Sequence, residues 1–126
     1  MKPSILVVED NDRNRKLVRT ILEFRGYEVI ECVDGEPSLA LAKKHRPVLI
    51  LMDIELPKMD GITALRRLRA DTETAGIPVA AVTASVTPSE REKVASAGFN
   101  AYIAKPIDVE SFAETIDRLV KARAGA

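Results

Sequence analysis

The order of apolar and amphipathic segments along the 126 residues constrains the fold more than any other feature of the sequence. Apolar runs of strand length lie at residues 4–9, 28–32, 48–53, 78–83 and 100–104. Helical patterns follow them at about 12–25, 35–45, 61–71, 87–98 and 108–121. This alternation is typical of a parallel sheet covered by helices on both faces. We therefore predict an α/β fold, a three-layer, doubly wound domain with a five-stranded parallel sheet and five helices.

The length and charge of the chain narrow the classes of protein to which it can belong. A chain of this size fits one domain and can bury a core without disulfides, so the lone Cys32 is expected to pack as a small apolar side chain. The 19 basic and 19 acidic residues give a formal charge of zero, which favours neither nucleic acid nor an anionic membrane as a partner. No apolar stretch reaches the roughly 18 residues of a membrane span, and we predict a cytoplasmic protein. Solvent-exposed positions are predicted for His45 and for the cluster of Arg66, Arg67 and Arg69.

Polar side chains follow four of the predicted strands at the point where each strand ends. They are Glu9 and Asp10 after the first strand, Asp53 and Glu55 after the third, Thr83 after the fourth and Lys105 after the fifth. Loops at the carboxyl ends of parallel strands form the site in open α/β sheets, so we expect Asp10 and Asp53 to lie within a few ångströms of each other. Two carboxylates about 4 Å apart repel by roughly 4 kcal/mol at an effective dielectric of 20, which calls for a cation. Mg²⁺ fits this oxygen set better than Ca²⁺ or Zn²⁺.

Lys105 and Thr83 add a point charge and a hydroxyl donor that suit phosphoryl oxygens. The alternatives are a Thr83 that satisfies only local backbone groups and a Lys105 that only pairs with an acid. The combination with Asp10 and Asp53 favours a phosphoryl site. The chain must also turn sharply between Lys105 and the helix cap at Asp108, which predicts a cis peptide bond at Lys105–Pro106.

Four segments together resemble the receiver domain of two-component response regulators, and the resemblance covers the whole chain. The segments are Val7-Val8-Glu9-Asp10-Asn11, Leu51-Met52-Asp53-Ile54-Glu55-Leu56-Pro57 with Met59-Asp60-Gly61, Val82-Thr83-Ala84, and Tyr102-Ile103-Ala104-Lys105-Pro106. The resemblance implies a flavodoxin-like sheet with strand order 2-1-3-4-5.

The resemblance also implies roles for individual residues. Asp53 would be the phosphoacceptor, with Thr83 and Lys105 contacting the phosphoryl group. The implied Mg²⁺ ligands are Glu9, Asp10, Asp53 and the carbonyl of Glu55. Tyr102 would be an aromatic switch, the alternative being an ordinary half-exposed strand aromatic. Glu55 and Ser85 would flank the path of the hydrolytic water.

The function implied is that of a single-domain response regulator in a phosphorelay. A histidine kinase or histidine phosphotransfer protein would supply the phosphoryl group, and the signal would pass to a protein target through helix 4, strand 5 and helix 5. We expect a receiver domain over residues 1–122 with a short tail at 123–126 and no output domain, and not a conventional enzyme. The alternatives are a receiver-like interaction module that is not phosphorylated and a Mg²⁺-dependent phosphotransferase that acts on small molecules through an aspartyl-phosphate.

Overall fold

The computed structural model describes residues 2–56, 58–84 and 87–124, with side chains described as far as residue 122. Strands and helices alternate along the chain. The strands are β1 (Ser4–Val8), β2 (Glu28–Cys32), β3 (Leu49–Asp53), β4 (Val79–Thr83) and β5 (Ala101–Ala104). The helices are α1 (Asp12–Phe24), α2 (Ser38–His45), α3 (Gly61–Ala70), α4 (Pro88–Ala97) and α5 (Val109–Ala124).

The five strands form one parallel sheet in the order β2-β1-β3-β4-β5, which confirms the predicted architecture and strand order. In the register, Val8 lies beside Met52 and Asp53 lies beside Val82. Thr83 in turn lies beside Ala104. The carboxyl ends of β1, β3, β4 and β5 therefore meet along one edge of the sheet.

Alternate residues of the strands pack on opposite faces of the sheet because successive side chains in a strand point to opposite sides. On one face, Ile5 and Val7 belong to a core cluster with side chains of α1 and α5. On the other face, Leu6 and Val8 belong to a cluster with side chains of α2 and α3. Every residue of β3 and β4 is buried, as the apolar runs predict for central strands of a parallel sheet.

Side-chain caps define the beginnings of four helices, among them α5, where the predicted cap Asp108 accepts a hydrogen bond of 3.0 Å from the Ser111 N–H. Asn11 accepts a hydrogen bond from the Asn14 N–H at the start of α1, and Asp60 accepts one from the Thr63 N–H at the start of α3. The predicted cap of α4 is present: the Thr87 hydroxyl accepts from the Glu90 N–H, and proline follows at the first helical position. The predicted stops at Gly26 and Gly98 both have positive φ, 93° and 101°, a conformation that glycine adopts without steric cost.

The predicted start of α2 is wrong by three residues. The helix begins at Ser38 and not at residue 35, with Pro37 at the cap position. Before it, the Asp34 side chain accepts from the Glu36 N–H, and the Ser38 hydroxyl donates to the Gly35 carbonyl. These local hydrogen bonds stabilise a turn in place of a helical start. At the other end of the chain, α5 extends to Ala124 and not to residue 121.

The arginine cluster on α3 is only partly solvated. Arg66 and Arg67 are exposed as predicted, but Arg69 is half-buried. Its guanidinium donates to the carbonyls of Ala75 and Ile77 at 3.1 and 2.6 Å, so it fastens the end of α3 to the loop that leads into β4. The expectation that all three arginines lie on a solvated face is therefore wrong for Arg69.

Several smaller predictions are confirmed. Cys32 is a buried free thiol, His45 is exposed, and the Lys105–Pro106 peptide bond is cis.

Helix α4 differs from the other helices in how little of it is buried: of its ten residues, Val94 is buried and Ala97 is half-buried, and the rest are exposed. Within residues 2–56, 58–84 and 87–124, none of the helices combines the length and the apolar composition that a bilayer crossing requires.

Candidate functional site

The polar side chains predicted at the strand ends converge on one edge of the sheet. Asp53 is the last residue of β3 and Glu9 follows β1, and each is only 4% exposed. Thr83 ends β4 and is fully buried, while Lys105 follows β5 and is half-buried. The strands are apolar and buried, and a polar group that ends a strand therefore lies at the carboxyl edge of the sheet, inside the protein. The neighbouring positions of β1, β3, β4 and β5 explain the convergence.

Lys105 bridges two buried carboxylates. Its Nζ atom lies 2.8 Å from Asp53 Oδ2 and 2.7 Å from Glu9 Oε1. The other Asp53 oxygen, Oδ1, accepts a hydrogen bond of 2.9 Å from the Glu55 N–H. Lys105 thus pairs with acids, as the alternative interpretation of the sequence holds, and its contact with phosphoryl oxygens stays a prediction. Charge-assisted hydrogen bonds of this kind hold both carboxylates in defined orientations.

The protonation of Glu9 reflects its burial first and the neighbouring Asp53 second. Burial raises the pKa of Glu9 to about 7, the hydrogen bond and repulsion from Asp53 act in the same direction, and Lys105 and the Asn11 N–H oppose them. Burial alone would lower the pKa of Lys105, but its hydrogen bonds to Asp53 and Glu9 outweigh that effect and raise it. Lys105 is therefore a permanent cation at neutral pH, and a single ammonium does not neutralise the acids around it.

The acids fit a divalent cation. One carboxylate oxygen from each of Glu9, Asp10 and Asp53 can be chosen so that all three lie within 4.8 Å of one another. Glu9 and Asp53 are buried and Asp10 is exposed, so the group opens to solvent on one side. Hard oxygen ligands in a half-open arrangement suit Mg²⁺, which keeps several waters and usually takes one or two carboxylates. The Glu55 N–H contacts Asp53, which places Glu55 beside this group, and coordination by its carbonyl stays a prediction.

The two residues predicted to act in switching lie on adjacent strands. Thr83 is buried at the end of β4 beside Ala104 of β5. Tyr102 lies on β5, is half-buried, and has the Arg91 guanidinium of α4 over its ring at 5.4 Å from the centroid. This cation–π contact joins β5 to α4. Ser85, predicted to flank the hydrolytic water, lies outside the described residues.

Two residues beside the site have roles that the sequence reasoning did not assign. Gly61 packs against the end of β3 so closely that a Cβ atom there would lie 2.5 Å from the Asp53 carbonyl oxygen. Arg15 reaches back from α1 and donates to the Glu9 carbonyl at 3.0 Å. The signal for Gly61 was its position after the cap Asp60. The signal for Arg15 was its spacing of three residues from Asp12, which indicates only a local helical ion pair.

Comparisons with protein families and with known proteins both find response regulators. The response regulator receiver domain family matches residues 5–117 of the chain. The polar-differentiation response regulator DivK of Brucella anthropi is 47% identical over 116 residues, which are 92% of this chain and 94% of that protein. DivK of Brucella ovis is 46% identical over the same shares of both chains.

Solved structures show the same fold. The receiver domain of sensor histidine kinase PA1611 from Pseudomonas aeruginosa PAO1 has a magnesium ion coordinated in its active site cleft. It is 34% identical with a TM-score of 0.89, and the alignment covers 96% of this chain and 99% of that one. A CheY-like receiver domain protein from Methanospirillum hungatei JF-1 is 28% identical with a TM-score of 0.89, over 99% of this chain and 98% of that one.

Proposed function

The chain belongs to the response regulator receiver domain family, and from this premise we propose that it signals by accepting a phosphoryl group on Asp53. The donor is the phosphohistidine of a histidine kinase or of a histidine phosphotransfer protein, and the protein works in the cytoplasm. The observation that carries the proposal is the Lys105 ammonium, which lies 2.8 Å from Asp53 and 2.7 Å from Glu9 at the edge of the sheet.

The reaction needs positioning and charge neutralisation more than covalent chemistry from the protein. A carboxylate oxygen of Asp53 attacks the phosphorus in line with the leaving imidazole nitrogen, so that one P–O bond forms as the P–N bond breaks. The Glu55 N–H, at 2.9 Å from Asp53 Oδ1, keeps the carboxylate from rotating. Lys105 needs to move little to contact the oxygens of the incoming phosphoryl group, because its ammonium already contacts Oδ2 of Asp53. The residues that would hold Mg²⁺ are Glu9, Asp10, Asp53 and the Glu55 carbonyl, and bound Mg²⁺ supplies further positive charge for the phosphoryl oxygens.

The proposed output is a change in the surface formed by α4, β5 and α5. A phosphoryl group on Asp53 offers new acceptors to the hydroxyl of Thr83, which ends the adjacent strand. Movement of Thr83 toward that group would draw the following loop inward and open space for Tyr102, which changes the surface presented to a protein target. The contact between Arg91 and Tyr102 joins α4 to β5, two of the elements that form this surface.

The phosphoacceptor is tested by incubating the protein with acetyl phosphate and a magnesium salt and measuring the intact mass. The wild type should gain one phosphoryl group, and Asp53→Asn should gain none. Asp60→Asn is the matched control, because asparagine can keep the cap hydrogen bond that Asp60 makes with Thr63. A phosphoryl group retained by Asp53→Asn would refute the assignment. If the wild type is not modified by acetyl phosphate or by a phosphorylated histidine kinase, a non-phosphorylated interaction module becomes the better conclusion.

The switch is tested separately with Thr83→Ala. This variant should still accept the phosphoryl group, because Lys105 and the acids are unchanged. Phosphorylation-dependent partners can be collected with wild-type protein in the presence and absence of phosphodonor. Binding of those partners should weaken in phosphorylated Thr83→Ala, and full binding would show that Thr83 does not transmit the signal.

A further inference from the structure

We propose that Arg15 is a positioning residue for the magnesium site, because its guanidinium holds the peptide group between Glu9 and Asp10. The inference rests on the proposed function, since it concerns the carboxylates assigned there to Mg²⁺. Arg15 lies in the first turns of α1, outside the set of acids, and the described contacts place it against the main chain of the site.

The guanidinium of Arg15 is held by three groups. Nη1 donates to the Glu9 carbonyl oxygen at 3.0 Å, and Nη2 donates to Asp12 Oδ1 at 2.6 Å. Nε lies 3.4 Å from Glu31 Oε1 on β2. The Arg15 side chain is only 19% exposed. Partners on a helix, a strand and a loop leave this planar group little freedom.

The contact with the Glu9 carbonyl matters because the other polar groups of Glu9 are already engaged. Its N–H donates to the Cys32 carbonyl at 3.0 Å, and its carboxylate contacts Lys105 and the Asn11 N–H. The carbonyl belongs to the peptide that leads into Asp10. Arg15 therefore fixes the rotation of that peptide, and with it the direction in which the exposed Asp10 side chain leaves the main chain.

Positioning and charge predict opposite effects when Arg15 is removed. Arg15 neutralises Asp12 and Glu31, so its loss would leave more negative charge near the site, which by electrostatics alone should tighten Mg²⁺ binding. Loss of positioning should weaken binding, since groups that orient metal ligands typically change metal affinity by about 10- to 100-fold when removed. The sign of the change in affinity thus identifies the role of Arg15.

Arg19 provides a matched control on the same helix. Its Nη1 contacts Glu31 Oε2 at 3.2 Å, and its described contacts go to Glu31 and Glu23 and not to the main chain of Glu9. Arg19→Ala therefore removes a cation next to the same acid without touching the peptide. Arg15→Lys keeps the charge but loses the fork that reaches several partners together.

The experiment is a titration of each variant with Mg²⁺, followed by amide chemical shifts and by calorimetry, with urea unfolding to show that each variant is folded. Arg15→Ala should bind Mg²⁺ about tenfold more weakly than the wild type, and Arg15→Lys should also be weakened. Arg19→Ala should stay within about twofold of the wild type, as expected for a change in surface charge alone. In phosphorylation by acetyl phosphate, the Arg15 variants should need more Mg²⁺ but approach the wild-type rate at saturation.

Unchanged or tighter Mg²⁺ binding in Arg15→Ala would overturn the inference, as would wild-type affinity in Arg15→Lys or an equal loss in Arg19→Ala. If Arg15→Ala does not fold, Arg15→Lys decides alone, because the charge explanation predicts wild-type affinity for it. A wild-type protein that does not bind Mg²⁺ would refute the proposed function. Wild-type binding that the Arg15 variants match would refute only the role of Arg15.

Discussion

Replacing Gly61 by alanine should destabilise the domain and displace Asp53, the proposed phosphoacceptor. Gly61 is the first residue of α3, and its N–H donates to the Ile54 carbonyl at 3.0 Å, which holds the helix start against the end of β3. A Cβ atom at this position would lie 2.5 Å from the Asp53 carbonyl oxygen and 2.9 Å from Ile54 Cα. The first distance is about 0.9 Å short of the 3.4 Å at which ordinary contact begins. Both neighbours are main-chain atoms, so they cannot move aside by rotating a side chain.

The expected loss of stability in Gly61→Ala follows from two opposing contributions to the free energy of unfolding. Forcing an extra methyl group into a packed region typically costs 1–3 kcal/mol, while alanine gains up to about 1 kcal/mol over glycine in a helix. We expect the free energy of unfolding to fall by about 1–2 kcal/mol. Because Asp53 and Ile54 must shift, we also expect phosphorylation to slow, by up to about 100-fold for a displacement near 1 Å.

Gly76→Ala is the control, since a Cβ at Gly76 would meet nothing within 4 Å. That variant should be neutral or more stable by up to about 1 kcal/mol, because alanine has less conformational entropy to lose on folding. Urea unfolding followed by circular dichroism gives the stabilities, and the rate of mass gain with acetyl phosphate gives the reactivity. Wild-type stability and wild-type phosphorylation in Gly61→Ala would refute the reasoning from close packing.

Three further results are expected from groups in or near the site. Burial and Asp53 raise the pKa of Glu9 to about 7 from an unfolded value of 4.5, so the folded state binds the extra proton between these values. Without divalent cations, the free energy of unfolding should therefore fall as pH rises from about 4.5 to about 7, by up to about 3 kcal/mol, and Glu9→Gln should flatten this part of the profile. Lys105→Ala should bind Mg²⁺ more tightly than the wild type yet accept the phosphoryl group more slowly, because the ammonium that repels the metal also neutralises the phosphoryl oxygens; weaker Mg²⁺ binding in a titration would contradict this. Burial, with a contribution from Asp34, raises the pKa of the Cys32 thiol to about 12. Iodoacetamide at about pH 8 should therefore alkylate the folded protein roughly a thousandfold more slowly than the urea-unfolded chain. Comparable rates would show that the thiol is accessible.

The three central strands β1, β3 and β4 could be predicted because each contains a short apolar run that is buried on both faces of the sheet, as in Leu49–Asp53. The convergence of Glu9, Asp10, Asp53 and Lys105 could be predicted for a related reason. In a parallel sheet, groups that follow the ends of neighbouring strands must lie at the same edge. The family resemblance added the strand order, which periodicity alone does not supply.

The contacts that were not predicted depend on tertiary geometry. Arg15 occupies the polar face of α1, where its sequence spacing suggests only the ion pair with Asp12. Its bond to the Glu9 carbonyl becomes visible only once the angle between α1 and β1 is known. The prediction of an exposed Arg69 was wrong because an arginine close in sequence to other arginines usually lies on a solvated helix face. The late start of α2 depends on competing side-chain hydrogen bonds from Asp34 and Ser38, whose outcome helix propensity does not decide.

The shallow attachment of α4 has a consequence for how such proteins diverge from one another. Of its ten residues, Val94 is buried and Ala97 is half-buried, so most positions on this helix can be substituted with little loss of core packing. Substitutions at exposed positions usually change stability by less than about 0.5 kcal/mol. After a gene duplication, the α4 surface could therefore acquire new partners while β3 and its aspartate stay unchanged. If α4 contacts the protein target as proposed, substitutions on this helix can change the target without refolding the domain.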